Sequence, residues 1–279
     1  MTTTKQIILA LPFAVWGLIA CTNSSRENNT ANQQTTVDTS TTIMVAHNDT
    51  IIYDDSSFPT DSSFSAKVLT VGAFHGDEIF KNASQLKWFG LFHGLDGYYL
   101  KQTKIKTISV NDPIVDENEN EKTGCEVQVL NKDTCIILIE PLPFFADRSI
   151  KGVKLTKNYI YPGDTISLNY LGVNYKIFAT GGKKKVQSQN GFDVWNYKLY
   201  VTATIKGKPY KSLLVAQPDF DEQMIRLIFA GDIDGDGILD LIIDTSRHYN
   251  ATRATVYLSR PANDGEVVKP IGVHTSVGC

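Results

Sequence analysis

The chain has 279 residues, a hydrophobic fraction of 42% and a formal net charge of −3 at pH 7. A mildly acidic chain without a basic stripe excludes a nucleic-acid protein, whose affinity rests on clustered Lys and Arg. The hydrophobic fraction is that of an ordinary globular protein, and the length suits one large or two small domains.

Residues 1–20 read as a signal peptide. One basic residue, Lys5, precedes an apolar run from Ile7 to Leu18. The run is shorter than the roughly 20 residues of a membrane span, but it suits a signal core. It ends in Leu18-Ile19-Ala20-Cys21, which resembles the lipobox of bacterial lipoproteins. The resemblance implies cleavage before Cys21 and lipid on its thiol, the group that ties the protein to its membrane partner. Two or three acyl chains anchor stably where one is marginal. Thr22 follows the cysteine in place of Asp, which by the same resemblance implies an outer-membrane lipoprotein of the cell envelope. The periplasmic and surface faces both stay open.

Residues 21–65 read as a disordered tether. They are rich in Asn, Gln, Ser and Thr and too poor in apolar residues to offset the entropy of ordering. From Lys67 onward the signals are β. Trp88 to Phe92 and Tyr98 to Lys101 flank Asp96-Gly97, a strong hairpin turn. Residues 104–110 alternate, and 112–122 form an acidic loop. Strands are expected at 125–130 and 134–140, turning at Asn131-Lys132-Asp133. Cys125 and Cys135 flank that turn. An exported location permits a disulfide between them, although pairing centred on the turn puts them off register. The alternative is two buried free thiols, with Cys279 the odd cysteine.

Further strands are expected at 165–171, 174–180, 194–205, 210–216, 224–230, 238–244, 254–259 and 267–273. Asn263-Asp264-Gly265 joins the last two. The best helix candidate is His75 to Lys87. The fold class is therefore mainly β, with antiparallel sheets and few short helices, in two subdomains at 66–145 and 146–279. A propeller is not expected, because no tandem repeat is present.

Asp232-Ile-Asp234-Gly-Asp236-Gly237-Ile238-Leu-Asp240 carries alternate carboxylates in a glycine-rich loop. Calcium takes six to eight oxygen ligands, and such a loop converges them. The expected ligands are Asp232, Asp234, Asp236, the Ile238 carbonyl and Asp240, with Ca2+ in a structural role. Four packed carboxylates would repel one another without a cation. The first half of an EF-hand loop is matched, but Ile243 stands where its closing glutamate belongs. The pattern resembles the calcium loops of FG-GAP and VCBS-type β repeats. The stretch from Phe229 to Asn250, with Val256–Ser259 and Val277–Cys279, resembles the C-terminal region of a group of Gram-negative proteins with one such loop. That resemblance implies calcium ligands and no particular activity.

No catalytic residue is assigned. The chain has no G-x-S-x-G elbow and no H-E-x-x-H pair. His75-Gly76-Asp77-Glu78 has the make-up of a general-base pair or metal site, and His248-Tyr249-Asn250 could line a pocket with Asp244, but both read as structural groups. Lys183-Lys184-Lys185 reads as a solvated hairpin tip. Trp88, Trp195 and the tyrosines could stack on sugars, but strand aromatics more often fill cores. The expected function is a calcium-stabilised, membrane-tethered binding module with a protein or carbohydrate partner. The alternative is an envelope hydrolase of glycan or peptide, which would need a cleft with convergent polar groups.

Overall fold

In β9 (Thr165–Tyr170) every second side chain is buried: Ile166, Leu168 and Tyr170. A period of two marks a strand with one wet face. β14 (Asp240–Asp244) is buried at all five positions, and β3 (Trp88–Gly94) is buried from Trp88 through Phe92. An unbroken buried run marks a strand covered on both faces. A stack of sheets has both kinds of strand, on its outside and its inside.

The structure is a computed structural model describing residues 56–186 and 191–278. The expected signal peptide, Cys21, the expected tether up to residue 55 and Cys279 lie outside these residues. Among the described residues sixteen strands form four sheets, and all their pairings are antiparallel. The first sheet orders β1 (Val68–Leu69), β7 (Thr134–Ile139), β3, β4 (Gly97–Thr103) and β8 (Arg148–Ile150). The second is a small sheet of β2 (Gly72–Phe74), β6 (Gly124–Val129) and β5 (Ile105–Val110). The third runs β12 (Lys208–Asp219), β11 (Phe192–Ile205), β10 (Val173–Lys185) and β9. The fourth is a meander of β13 (Arg226–Gly231), β14, β15 (Ala251–Leu258) and β16 (Lys269–Val277).

Three apolar clusters separate the four sheets. Tyr175, Tyr197, Leu199 and Val201 of the third sheet pack with Leu227, Leu241, Ile243 and Tyr257 of the fourth. The opposite face of the fourth sheet gives Phe229, Ile242, Val256 and Leu258 to a second cluster with Phe89, Leu91, Leu100 and Ile137 of the first. Trp88, Phe92 and Leu138 then meet Ile105 and Val127 of the small sheet. Leu241 and Ile243 face one cluster and Ile242 the other, which explains the unbroken apolar run in β14. The expected subdomains 66–145 and 146–279 meet across the second cluster. β8, from beyond residue 145, closes the edge of the first sheet.

Three expectations are corrected. The strands at 124–129 and 134–139 form no hairpin, because β6 pairs with β2 and β5 while β7 pairs with β1 and β3. Cys125 and Cys135 therefore stand in different sheets as free thiols. The stretch from His75 to Lys87 is two short 3-10 turns, Gly76–Glu78 and Ala83–Gln85. Asn82 at φ +60° ends any continuous helix, and Gly76 lies so close to the Thr123 carbonyl that a Cβ would sit 2.2 Å from it. Residues 56–65, assigned to the tether, lie on the body. Phe58 exchanges two backbone hydrogen bonds with Ala216, at 3.0 and 2.9 Å, and Ser65 donates to Ile271 at 2.9 Å.

Burial pushes the Cys135 thiol up to about 12 and raises that of Cys125 as well. Since the thiolate is the reactive form, Cys135 is expected to resist alkylation at pH 8 in the native protein and to react in urea. Peptide mapping checks this, and a Cys125–Cys135 crosslinked peptide would refute the free thiols.

Candidate metal centre

β13 and β14 pair down to Gly231 opposite Asp240, and the aspartate loop closes that end of the ladder. The loop coils on its own side chains. Asp232 Oδ1 accepts the amides of Gly235 and Asp236 at 2.5 and 3.1 Å, and Oδ2 accepts that of Gly237 at 2.9 Å. An aspartate that binds its own downstream amides sets such a turn. Gly235 and Gly237 take φ of +79° and +86°, values that a side chain would strain.

Asp240 is wholly buried and accepts three amides. Ile233 and Asp234 donate to its Oδ2 at 2.6 and 3.0 Å, and Ser259 donates to Oδ1 at 2.7 Å. Asp234 is equally buried. Its Oδ2 accepts the Arg260 amide at 2.8 Å, while its Oδ1 has no hydrogen-bond partner. The Arg260 guanidinium stands 4.0 Å from that oxygen, too far to satisfy it. Carboxylate oxygens of Asp232, Asp234 and Asp240 all lie within 4.8 Å of one another.

Neighbouring sheets fix this loop in place. The Tyr170 and Tyr175 hydroxyls of the third sheet accept the amides of Asp232 and Leu239, each at 3.3 Å. From the first sheet, the Arg148 guanidinium donates to the Ile233 carbonyl, and a Cβ on Gly235 would lie 2.8 Å from its Cζ. Ile233 is buried in the cluster between the first and fourth sheets, and Leu239 in that between the third and fourth.

Burial is the main force on the two inner carboxyls. It pushes Asp234 up to about 6, and the charges of Asp236 and Asp232 add to the shift. Burial and the charge of Asp234 raise Asp240 well above the carboxylate range, against the pull of its amide donors. A cluster of hard oxygen donors with one buried oxygen left unpaired suits a calcium- or magnesium-type cation and no soft metal.

Of the five expected ligands, Asp232, Asp234 and Asp240 come together. Asp236 lies beside this triad, its Oδ1 accepting the Ser259 hydroxyl at 3.0 Å and the Ile238 amide at 2.8 Å. Ile238 enters the loop's hydrogen bonding through that amide. Arg148, Ser259, Arg260, Tyr170 and Tyr175 were not expected at the site. The other candidates are dispersed. His75 Nδ1 pairs with the buried Asp112 at 2.5 Å, and His248 Nδ1 lies 3.4 Å from Asp221. The Asp112 hydrogen bond raises the His75 pKa, and the same bond lowers that of Asp112. Trp88 is fully buried and donates to the Ala83 carbonyl at 2.9 Å. No family model, curated protein or solved structure matches the chain.

The raised carboxyls give the metal-free protein an unusual pH dependence. The folded state holds protons on Asp234 and Asp240 that the unfolded chain releases at ordinary carboxylate values, so stability falls as pH rises through about 6. In excess chelator the urea midpoint is expected to drop from pH 5 to pH 7, and Asp234→Asn should flatten the drop. A midpoint that rises over this range in the parent protein would contradict the assignment.

Proposed function

We propose that the chain is a lipid-anchored protein of the bacterial envelope whose β body is stapled by one calcium ion and which acts as a binding module. The observation that carries the calcium reading is Asp234 Oδ1, a buried carboxylate oxygen without a hydrogen bond, within a triad of carboxylates. Leaving such a group unpaired is costly, and a bound cation removes the cost. Asp232, Asp234 and Asp240 would hold the ion. Resemblance to FG-GAP and VCBS loops adds Asp236 and the Ile238 carbonyl. A loop already coiled around its own carboxylates suits the adaptable shell of calcium better than the strict octahedron of magnesium. The ion would supply charge neutralisation and no reaction.

The anchor reading rests on Leu18-Ile19-Ala20-Cys21 and its place behind an apolar signal core. Lipid on Cys21 and the polar residues after it would hold the β body outside the cytoplasm, at the outer membrane. Binding is favoured over catalysis because the histidines near acids are taken up in structural pairs. His75 is joined to Asp112, and His274 is buried between the Thr70 hydroxyl and the Glu78 carbonyl.

Chelation of calcium is expected to lower the melting temperature by roughly 5–10 °C, from ligand linkage at saturating ion and the usual entropy of a domain this size. Scanning calorimetry with and without chelator checks it, and equal melting temperatures would remove the staple. Separately, Cys21→Ser is expected to abolish palmitate incorporation and shift the protein from the membrane to the soluble fraction. Equal labelling of parent and variant would remove the anchor.

A further inference from the structure

Only three aromatic side chains are exposed among the described residues: Tyr159 at 46%, Phe192 at 41% and Tyr249 at 64%. Isolated exposed aromatics need no explanation, but these three line one groove. It consists of two adjoining hollows of about 490 and 440 Å³ that share Tyr159 and Gln223. Phe192 lies in the first hollow and Tyr249 in the second.

The polar groups between the rings are uncommitted. The side-chain amides of Gln223 and Asn250 line the groove without hydrogen bonds to any described residue, as do the carboxylates of Asp193 and Glu222. Arg226, by contrast, is paired to Asp244 at 3.6 Å. The groove thus offers aromatic faces set among free amides and carboxylates, with Asp193 and Glu222 in the first hollow and the Lys183 ammonium 5.4 Å from the Phe192 centroid.

Several wall residues are held by contacts to the sheets behind them. Tyr159 bridges to Arg226 of β13, and the Leu227 amide donates to Asn158 at 2.8 Å. The Tyr161 ring leans on Phe192 with centroids 5.2 Å apart, and Tyr197 meets the edge of Phe220 at 5.3 Å. Arg247 pairs with Asp219 at 2.9 Å, joining the segment behind one hollow to that behind the other.

We infer that this groove is a binding site for a neutral oligosaccharide. Sugar rings present apolar C–H faces that stack on aromatic rings, and their hydroxyls both donate to and accept from amides and carboxylates. Asp193 and Glu222 together outweigh the one ammonium of Lys183 at Phe192 and disfavour sulfated or uronic chains by like-charge repulsion. The groove lies at the Arg226–Asp244 end of the β13–β14 ladder, opposite the aspartate loop. The inference deepens the binding-module reading and depends on it, but it does not depend on the ion.

The test uses the full chain in detergent against a defined glycan array, followed by calorimetric titration with cellohexaose, chitohexaose, hyaluronan hexasaccharide and a mixed-sequence peptide. Binding is expected for a neutral oligosaccharide and not for hyaluronan. Tyr159→Ala, Phe192→Ala and Tyr249→Ala should each weaken it about tenfold, as loss of a central aromatic anchor does. Leu130→Ala, exposed and outside the groove, should leave binding unchanged. All four side chains are exposed, so melting temperatures should hold and a loss of affinity would report the groove. No neutral glycan bound, affinity unmoved by the triple aromatic variant, or peptide binding lost with the same variants would each overturn the inference. Running the titrations with calcium and with chelator separates the readings. Glycan binding by a chain whose melting ignores calcium upholds the groove and removes only the staple. A calcium-dependent melt without glycan binding removes the groove.

Discussion

Two carboxylates with no exposed surface, Asp234 and Asp240, set the terms on which this fold closes. Burying a carboxylate demands donors on every side, and the chain supplies them from distant places. The turn gives the amides of Ile233 and Asp234, and the end of β15 gives those of Ser259 and Arg260. Around that knot, two tyrosines of the third sheet and one arginine of the first take up the remaining loop backbone. The loop is consequently where three sheets are registered to one another. Two buried polar atoms at this knot have no hydrogen-bond partner among the described residues, Asp234 Oδ1 and Arg148 Nε.

The layering follows from the same economy. A sheet covered on both faces needs apolar side chains in both directions, so β14 cannot alternate. Its only polar residues stand at its ends, Asp240 in the aspartate cluster and Asp244 beside the groove. The hairpin of β13 and β14 therefore has a charged end at each side of the stack and an apolar middle inside it. Outer strands such as β9 keep the period of two because water lies on one side.

This division explains what could be read from the sequence. Alternation and turn residues made most strands legible: Asp96-Gly97 sits at the β3–β4 turn, and Asn263-Asp264-Gly265 joins β15 to β16. Partner choice was not legible, because β6 and β7 carry the same local pattern whether they pair with each other or with remote strands. The aspartates of the loop were visible because they are consecutive in the chain. Arg148 was not, since it arrives from a strand 85 residues before Ile233. The end of the tether was misplaced for a similar reason. Phe58 and Phe64 interrupt a Ser-rich stretch and are partly buried, Phe64 under the Arg253 guanidinium at 5.8 Å. Two aromatics in polar surroundings were the signal that order begins before residue 65. Only part of the groove left a local trace, in Tyr249-Asn250 close after Asp244; Tyr159 and Phe192 join them only once the third and fourth sheets are stacked.

The paired amide and carbonyl of Phe58 on Ala216 have a mechanical meaning. Among the described residues, a pull along the chain from its N-terminal side meets this bridge before any strand of the body. The next resistance is Arg253, which pairs with Asp61 at 3.7 Å and lies over Phe64, then the amides of Ser65 and Ala66 on the Ile271 carbonyl and the short β1 within the first sheet. Load entering there would first bear on Ala216 at the edge strand β12 and then peel bonds in series, while the aspartate knot between β13 and β14 lies away from this path. The body would act as the fixed weight at the end of a spring whose first coils are residues 56–66.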